Sequence, residues 1–121
     1  MTTNALIENL EKLLGSPRDG ALLRYSLGSE HLKAGDWAQA SLRLREAVER
    51  DGNHSAAWKL LGRALAEGNQ LAEALAAYEQ GIVVAQRRGD VQAVKEMRVF
   101  VRRLRRQVAA TDERAATASP P

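Results

Sequence analysis

Residues 55–88 constrain the fold more than any other part of this chain. They read Ser55-Ala-Ala-Trp58-Lys-Leu-Leu61-Gly62-Arg-Ala-Leu65, break at Gly68-Asn69, and resume with Leu71, Ala74, Tyr78 and Gly81. Trp58, Leu61 and Leu65 are spaced by three and four, one face of a helix. Gly62 lies on that face, where the missing side chain lets a second helix approach closely. Gly68 suits a turn, and Asn69 can cap the helix that follows. That second helix turns small Ala74 and then bulky Tyr78 inward. The stretch therefore predicts two antiparallel helices in close contact.

Residues 21–54 stand in a 34-residue register with 55–88. Leu27-Gly28 matches Leu61-Gly62, Ala40 matches Ala74, and Ala38 matches Ala72. Leu44 stands where Tyr78 does, and Ala47 where Gly81 does. Only these four of the 34 pairs are identical. Three of them fall at the positions that define the helix pair, and the breaks at Gly35 and Gly68 nearly coincide.

These residues resemble the tetratricopeptide repeat (TPR), whose signature is W-x2-L-G-x2-Y…A-x3-F…P over about 34 residues. The likeness is to small bacterial two-repeat members. The first repeat departs from the signature at Arg24 and His31, where large aromatics are expected. Both repeats lack the closing proline, with Gly52 and Gln86 in its place. The resemblance implies an all-α, short right-handed solenoid and a non-catalytic adaptor that binds other proteins. It also implies that the first helix of each pair lines a concave surface taking an extended or helical peptide.

The flanks extend the pattern. Residues 4–14 carry Leu6, Ile7, Leu10, Leu13 and Leu14, an amphipathic helix stopped by Gly15. Thirty-four residues before Ala40, Leu44, Ala47 and Val48, they resemble the second half of a preceding repeat and predict a capping helix. Ser16-Pro17 signals a helix restart, with Asp19 favourable near its N-terminus. At the other end, residues 90–109 take the place of a third repeat's first half. Lys95-Glu96 replaces Leu-Gly there, so this helix is expected to terminate the stack. The expectation is one domain over 1–109 with six helices, two full repeats bracketed by half-repeats. The Ala/Thr/Ser/Pro-rich residues 110–121 are expected to be a disordered tail.

Composition narrows the chemistry. Apolar residues make up 45% of the chain but aromatics only 4%, which suits a Leu/Ala/Val core on helices. The absence of cysteine excludes disulfides, thiolate metal sites and thiol chemistry. No apolar run approaches a membrane span, and the N-terminal helix carries Glu8 and Glu11 rather than the basic and apolar regions of a secretion signal. A cytoplasmic location is expected. His31 and His54, the only histidines, lie in different repeats without carboxylates at ligand spacing. Glu46 and Glu49 are flanked by Arg43, Arg45 and Arg50 and read as a solvated face. No Ser/His/Asp order and no glycine-rich phosphate loop is present. No enzyme activity, cofactor, metal or small-molecule substrate is expected.

Two surfaces remain as candidate contacts. Opposite the packing stripe of the second repeat lie Lys59, Arg63 and Glu67, and the same face of the first offers Tyr25, Ser29 and Lys33. These six are the expected partner-binding groove, and Lys59 with Arg63 suits an acidic ligand. The Lys/Asn/Lys/Arg clamp by which some relatives hold a C-terminal carboxylate would fall on Tyr25, Ser29, Leu60, Asp90 and Val94, and none matches. The last helix is the second surface. Its stripe of Val94, Met97, Val101, Leu104 and Val108, widened by Phe100, is either buried against Tyr78, Ile82 and Val83 or shown to a partner, with Met97, Phe100 and Val101 as the contact. Eight basic residues from Arg87 to Arg106 face only Asp90 and Glu96, a net of +6. Arg98, Arg102, Arg105 and Arg106 would be the contacts of an alternative function, binding nucleic acid or an anionic surface. Against it, cations are expected near a helix C-terminus and no aromatic interleaves with them. A self-associating structural module is the other alternative; a monomer is the expected state.

Overall fold

The computed structural model describes residues 2–118. Among them the chain forms six α-helices and no strand: α1 (Thr3–Glu11), α2 (Ala21–Lys33), α3 (Trp37–Arg50), α4 (Ser55–Glu67), α5 (Leu71–Arg88) and α6 (Val91–Ala118). Each helix packs chiefly on its neighbours in sequence, with lesser contacts of α2 to α4 and α4 to α6. A stack in which each unit meets only the next is a solenoid. Because α4 touches both α2 and α6 while α3 and α5 do not touch, α2, α4 and α6 form the inner side of its curve.

The two helix pairs close by the same device. A Cβ on Gly62 would lie 2.8 Å from the Tyr78 ring, and a Cβ on Gly28 would collide with the Leu44 side chain. The large residue of each second helix therefore fills the space left by the glycine of the first. Between the helices the turns also match. Gly35 and Asn69, one register apart, both take the left-handed conformation, at φ 75° and 62°. Asn69 is thus the bend itself rather than the cap expected of it; Gln70 takes the cap position without a side-chain bond. Asparagine tolerates this conformation better than most side chains.

Arg24, which stands in the register position of Trp58, replaces the aromatic with ion pairs. Its guanidinium, 8% exposed as a residue, reaches Asp19 at 2.6 Å and Glu46 at 2.9 Å. Trp58 instead donates its indole N–H to the Gly52 carbonyl at 2.9 Å. Both side chains tie back to the loop preceding their own helix. Glu46 also accepts from Arg43 at 2.9 Å, so it belongs to a partly buried network and not to the solvated face expected for it.

The ends differ from expectation in detail. The N-terminal helix is capped by Thr2 and stops at Glu11, short of residue 14. Leu13 and Leu14 come after it in the turn yet still pack, with Leu10, on Ile7, Leu23 and Leu27. Ser16-Pro17 does not restart the helix. The segment to Gly20 is a turn in which Asp19 accepts the Gly15 N–H at 2.8 Å and holds Arg24. At the other end α6 does not give way at 109 but remains helical to Ala118. Residues 119–121 of the expected tail lie outside the described residues.

The register of α6 is also corrected. The fifth helix has 18 residues against 14 in α3, and the extra turn delays the start of α6. His54 accepts the Ala57 N–H at the start of α4; the corresponding acceptor in α6 is Asp90, from Ala93 at 3.0 Å. That places Asp90 two residues later than the 34-residue register would. Met97-Arg98, not Lys95-Glu96, therefore occupies the Leu-Gly position. An arginine there, unlike a glycine, blocks a further close-packed helix. The shift buries Val94, Met97, Val101 and Leu104, Met97 fully. Val83, named as part of their cover, turns outward at 38% exposure.

Candidate partner-binding groove

On the inner side of the curve, α4 and α6 part to leave a cavity of about 610 Å³. It exists because α4 and α6 meet only weakly, both resting on α5. Leu60 on α4, Tyr78 on α5, and Phe100 and Leu104 on α6 give it an apolar lining. Lys59, Arg63 and Glu67, spaced by four along α4, supply one charged wall, and Arg103 stands on the other. Phe100 is half-buried and stacks on Tyr78, with ring centroids 5.3 Å apart and planes 20° from parallel. The Arg103 guanidinium lies 6.0 Å from the Phe100 ring centroid, within cation–π reach. Burial pushes the Tyr78 phenol up to about 12, with Arg63 pulling it back and Glu67 adding to the rise, so it stays neutral.

The charges are not equivalent. Lys59 is ion-paired across the groove to Glu96, which also accepts from Gln92 at 3.1 Å. The Lys59 ammonium first, then Gln92, hold the Glu96 carboxyl below its usual range. Arg63 and Arg103, by contrast, form no ion pair among the described residues.

Of the six groove residues expected from sequence, this cavity gathers Lys59, Arg63 and Glu67. It does not reach Tyr25, Ser29 or Lys33. Tyr25 packs against the His54 ring at 4.6 Å between centroids, and Lys33 pairs with Glu30 at 2.9 Å. Of the three residues named as a second contact, Phe100 lines the cavity. Met97 and Val101 are core residues, covered within the solenoid and closed to a partner. The arginines of α6 diverge. Arg98, Arg102 and Arg105 line a smaller cleft of about 340 Å³ with Glu79 and Ile82, and Arg105 is paired to Glu79 at 3.0 Å. Arg106 is exposed and lines neither cleft.

Arg103 was missed, although a signal for it existed. It stands on α6 where Glu67 stands on α4, once the two-residue delay of α6 is allowed for. No group of three or more His, Asp or Glu residues that could hold a metal ion occurs among the described residues. No described helix is long and apolar enough to cross a membrane.

Paired helices stacked in one direction, with glycine-to-large contacts inside each pair and an inner groove, define a helical-repeat solenoid. Residues 25–91 match the tetratricopeptide repeat family. The chain is 50% identical over 101 residues to a TPR repeat-containing protein of Pseudomonas aeruginosa, covering 84% of this chain and 96% of that one. It is 40% identical to a Bordetella parapertussis protein of known solution structure, with a TM-score of 0.74 over 88% of this chain and 93% of that one. A tetratricopeptide repeat domain protein of Salinibacter ruber is 26% identical, with a TM-score of 0.66 over 72% and 97%. The chain belongs to the tetratricopeptide repeat family, whose fold generally serves protein–protein interaction.

Proposed function

We propose that this protein is a non-catalytic adaptor that docks a segment of another protein in the groove between α4 and α6. The observation that carries the reading is Phe100. A half-buried aromatic stacked on Tyr78, in a cavity with apolar lining and charged walls, is the anatomy of a small interface centre. Tyr25, Ser29 and Lys33, on the same face of α2, would extend the contact along the inner side. The basic residues of α6 do not favour a nucleic-acid function, because Arg98, Arg102 and Arg105 share their cleft with Glu79, to which Arg105 is paired, while Arg103 faces the groove and Arg106 lines neither.

The test is capture of a protein partner by the wild-type chain and by Phe100→Ser combined with Arg63→Glu, the circular-dichroism melt of each being recorded. Loss of capture by a variant that still unfolds cooperatively supports the groove. Undiminished capture would move the contact to another face.

A further inference from the structure

The charges around this cavity specify the partner more closely than its shape does. Resting on the proposed docking groove, we infer that the docked segment presents one bulky apolar side chain beside a single carboxylate. The apolar group lies on Phe100 and Leu60, and the carboxylate lies between Arg63 and Arg103.

Three observations lead to this. First, Lys59 is neutralised by Glu96, so the cation nearest that end of the groove is already satisfied. Second, Arg63 and Arg103 line the same cavity from opposite walls without an ion pair among the described residues. Guanidinium groups bind carboxylates through two parallel hydrogen bonds, and two of them can share one acid. Third, exposed Glu67 lines the same cavity and offsets one cation. What is left over is about one unit of positive charge, which matches one carboxylate and disfavours an acidic tract.

The apolar half rests on the stacked Phe100 and Tyr78, since a flat aromatic surface half-open to water gains most by being covered. Arg103, already poised over Phe100, can hold the ring and the incoming acid together. The site thus moves from the Lys59–Arg63 pair on one helix to the Arg63–Arg103 pair across two.

The probe is a displayed library of random peptides selected on the full chain, with each enriched peptide mapped by amide chemical shifts. The expected peptides carry an aromatic or leucine residue beside one Asp or Glu and perturb Leu60, Phe100 and Arg103. Arg63→Gln with Arg103→Gln should weaken them about tenfold, a loss of roughly 1.4 kcal/mol. Arg63→Glu with Arg103→Glu should instead select peptides with a basic residue in the acid's place, at an unchanged melt. Both arginines are exposed and form no ion pair among the described residues, so these variants are expected to fold. Peptides that map to the groove but show no charge preference would overturn the inference and leave the docking reading standing. Peptides that map elsewhere, or no enrichment at all, would overturn both.

Discussion

Gly62 sets two opposed effects against each other. In a helix interior, alanine is favoured over glycine by about 1 kcal/mol, so propensity alone predicts that Gly62→Ala stabilises. Its Cβ, however, would stand 2.8 Å from three atoms of the Tyr78 ring, which is buried and stacked on Phe100. A buried ring already stacked on Phe100 has little room to swing aside, and overpacking of this kind costs ~1–3 kcal/mol. The clash should win, and Gly62→Ala should lower the urea midpoint; a rise would show that Tyr78 has room to move. Asp19 offers a second residue-scale test. The Arg24 guanidinium, then the Gly15 N–H, hold its carboxyl well below the ordinary value of 3.8. A carboxyl depressed by folding contributes stability above its unfolded pKa and loses it as pH falls through the folded one. The stability gap between wild type and Asp19→Asn should therefore be full at about pH 6 and narrow towards about pH 3. A constant gap would mean that Asp19 acts by shape alone. Arg24 shows why such detail was hidden: sequence marked it as a departure from the aromatic pattern, but its partners, Asp19 and Glu46, come from a loop and a different helix.

The helices divide into those whose limits obey local chemistry and those that depend on a neighbour. The glycine faces of α2 and α4, and their partners on α3 and α5, were readable because they repeat at fixed spacing. The start of α6 after Gly89-Asp90 was readable too, but its alignment with α2 and α4 was not, because that depends on α5 running four residues longer than α3. Reading α6 two residues out of register put Lys95-Glu96 in the Leu-Gly position, left the burial of Met97 and Val101 open, and hid Arg103. Its far end gives the element-scale prediction. Beyond Val108, α6 continues for about 15 Å, and residues 111–117 are exposed. Removing residues 110–121 should leave the melting temperature within about one degree of wild type while reducing the helical circular-dichroism signal per molecule. An unchanged signal would show that this segment is not helical in solution. Removing residues 1–14 is the opposite case. It strips the cover from Leu23 and Leu27 and should cost on the order of 2–4 kcal/mol. A protein indifferent to that loss would refute α1 as a cap.

At the scale of the whole molecule, a stack ends where its next face no longer welcomes a neighbour. Arg98, in the position that glycine holds in the two complete pairs, ends this one by charge and bulk, and Arg102 and Arg105 line the same outer cleft. The large exposed apolar residues, Leu22, Leu42, Val83 and Val91, fall on four different helices. Pairing two copies through α6 in parallel would bring two +6 segments together, inside the ~8–10 Å over which salt leaves charges unscreened. These features predict a monomer. Light scattering from micromolar to submillimolar concentration should return a mass near 13.2 kDa throughout. Phe100→Glu separates this from the alternative. Phe100 is half-exposed, so its replacement can turn the carboxylate towards Arg63 and Arg103 instead of burying it unpaired. The variant should melt lower than wild type yet remain helical and monomeric, with its groove filled by its own acid and closed to an acidic segment. A dimer mass for the wild type that falls to the monomer value in Phe100→Glu, with helical signal intact, would show instead that the groove's occupant is a second copy of this chain.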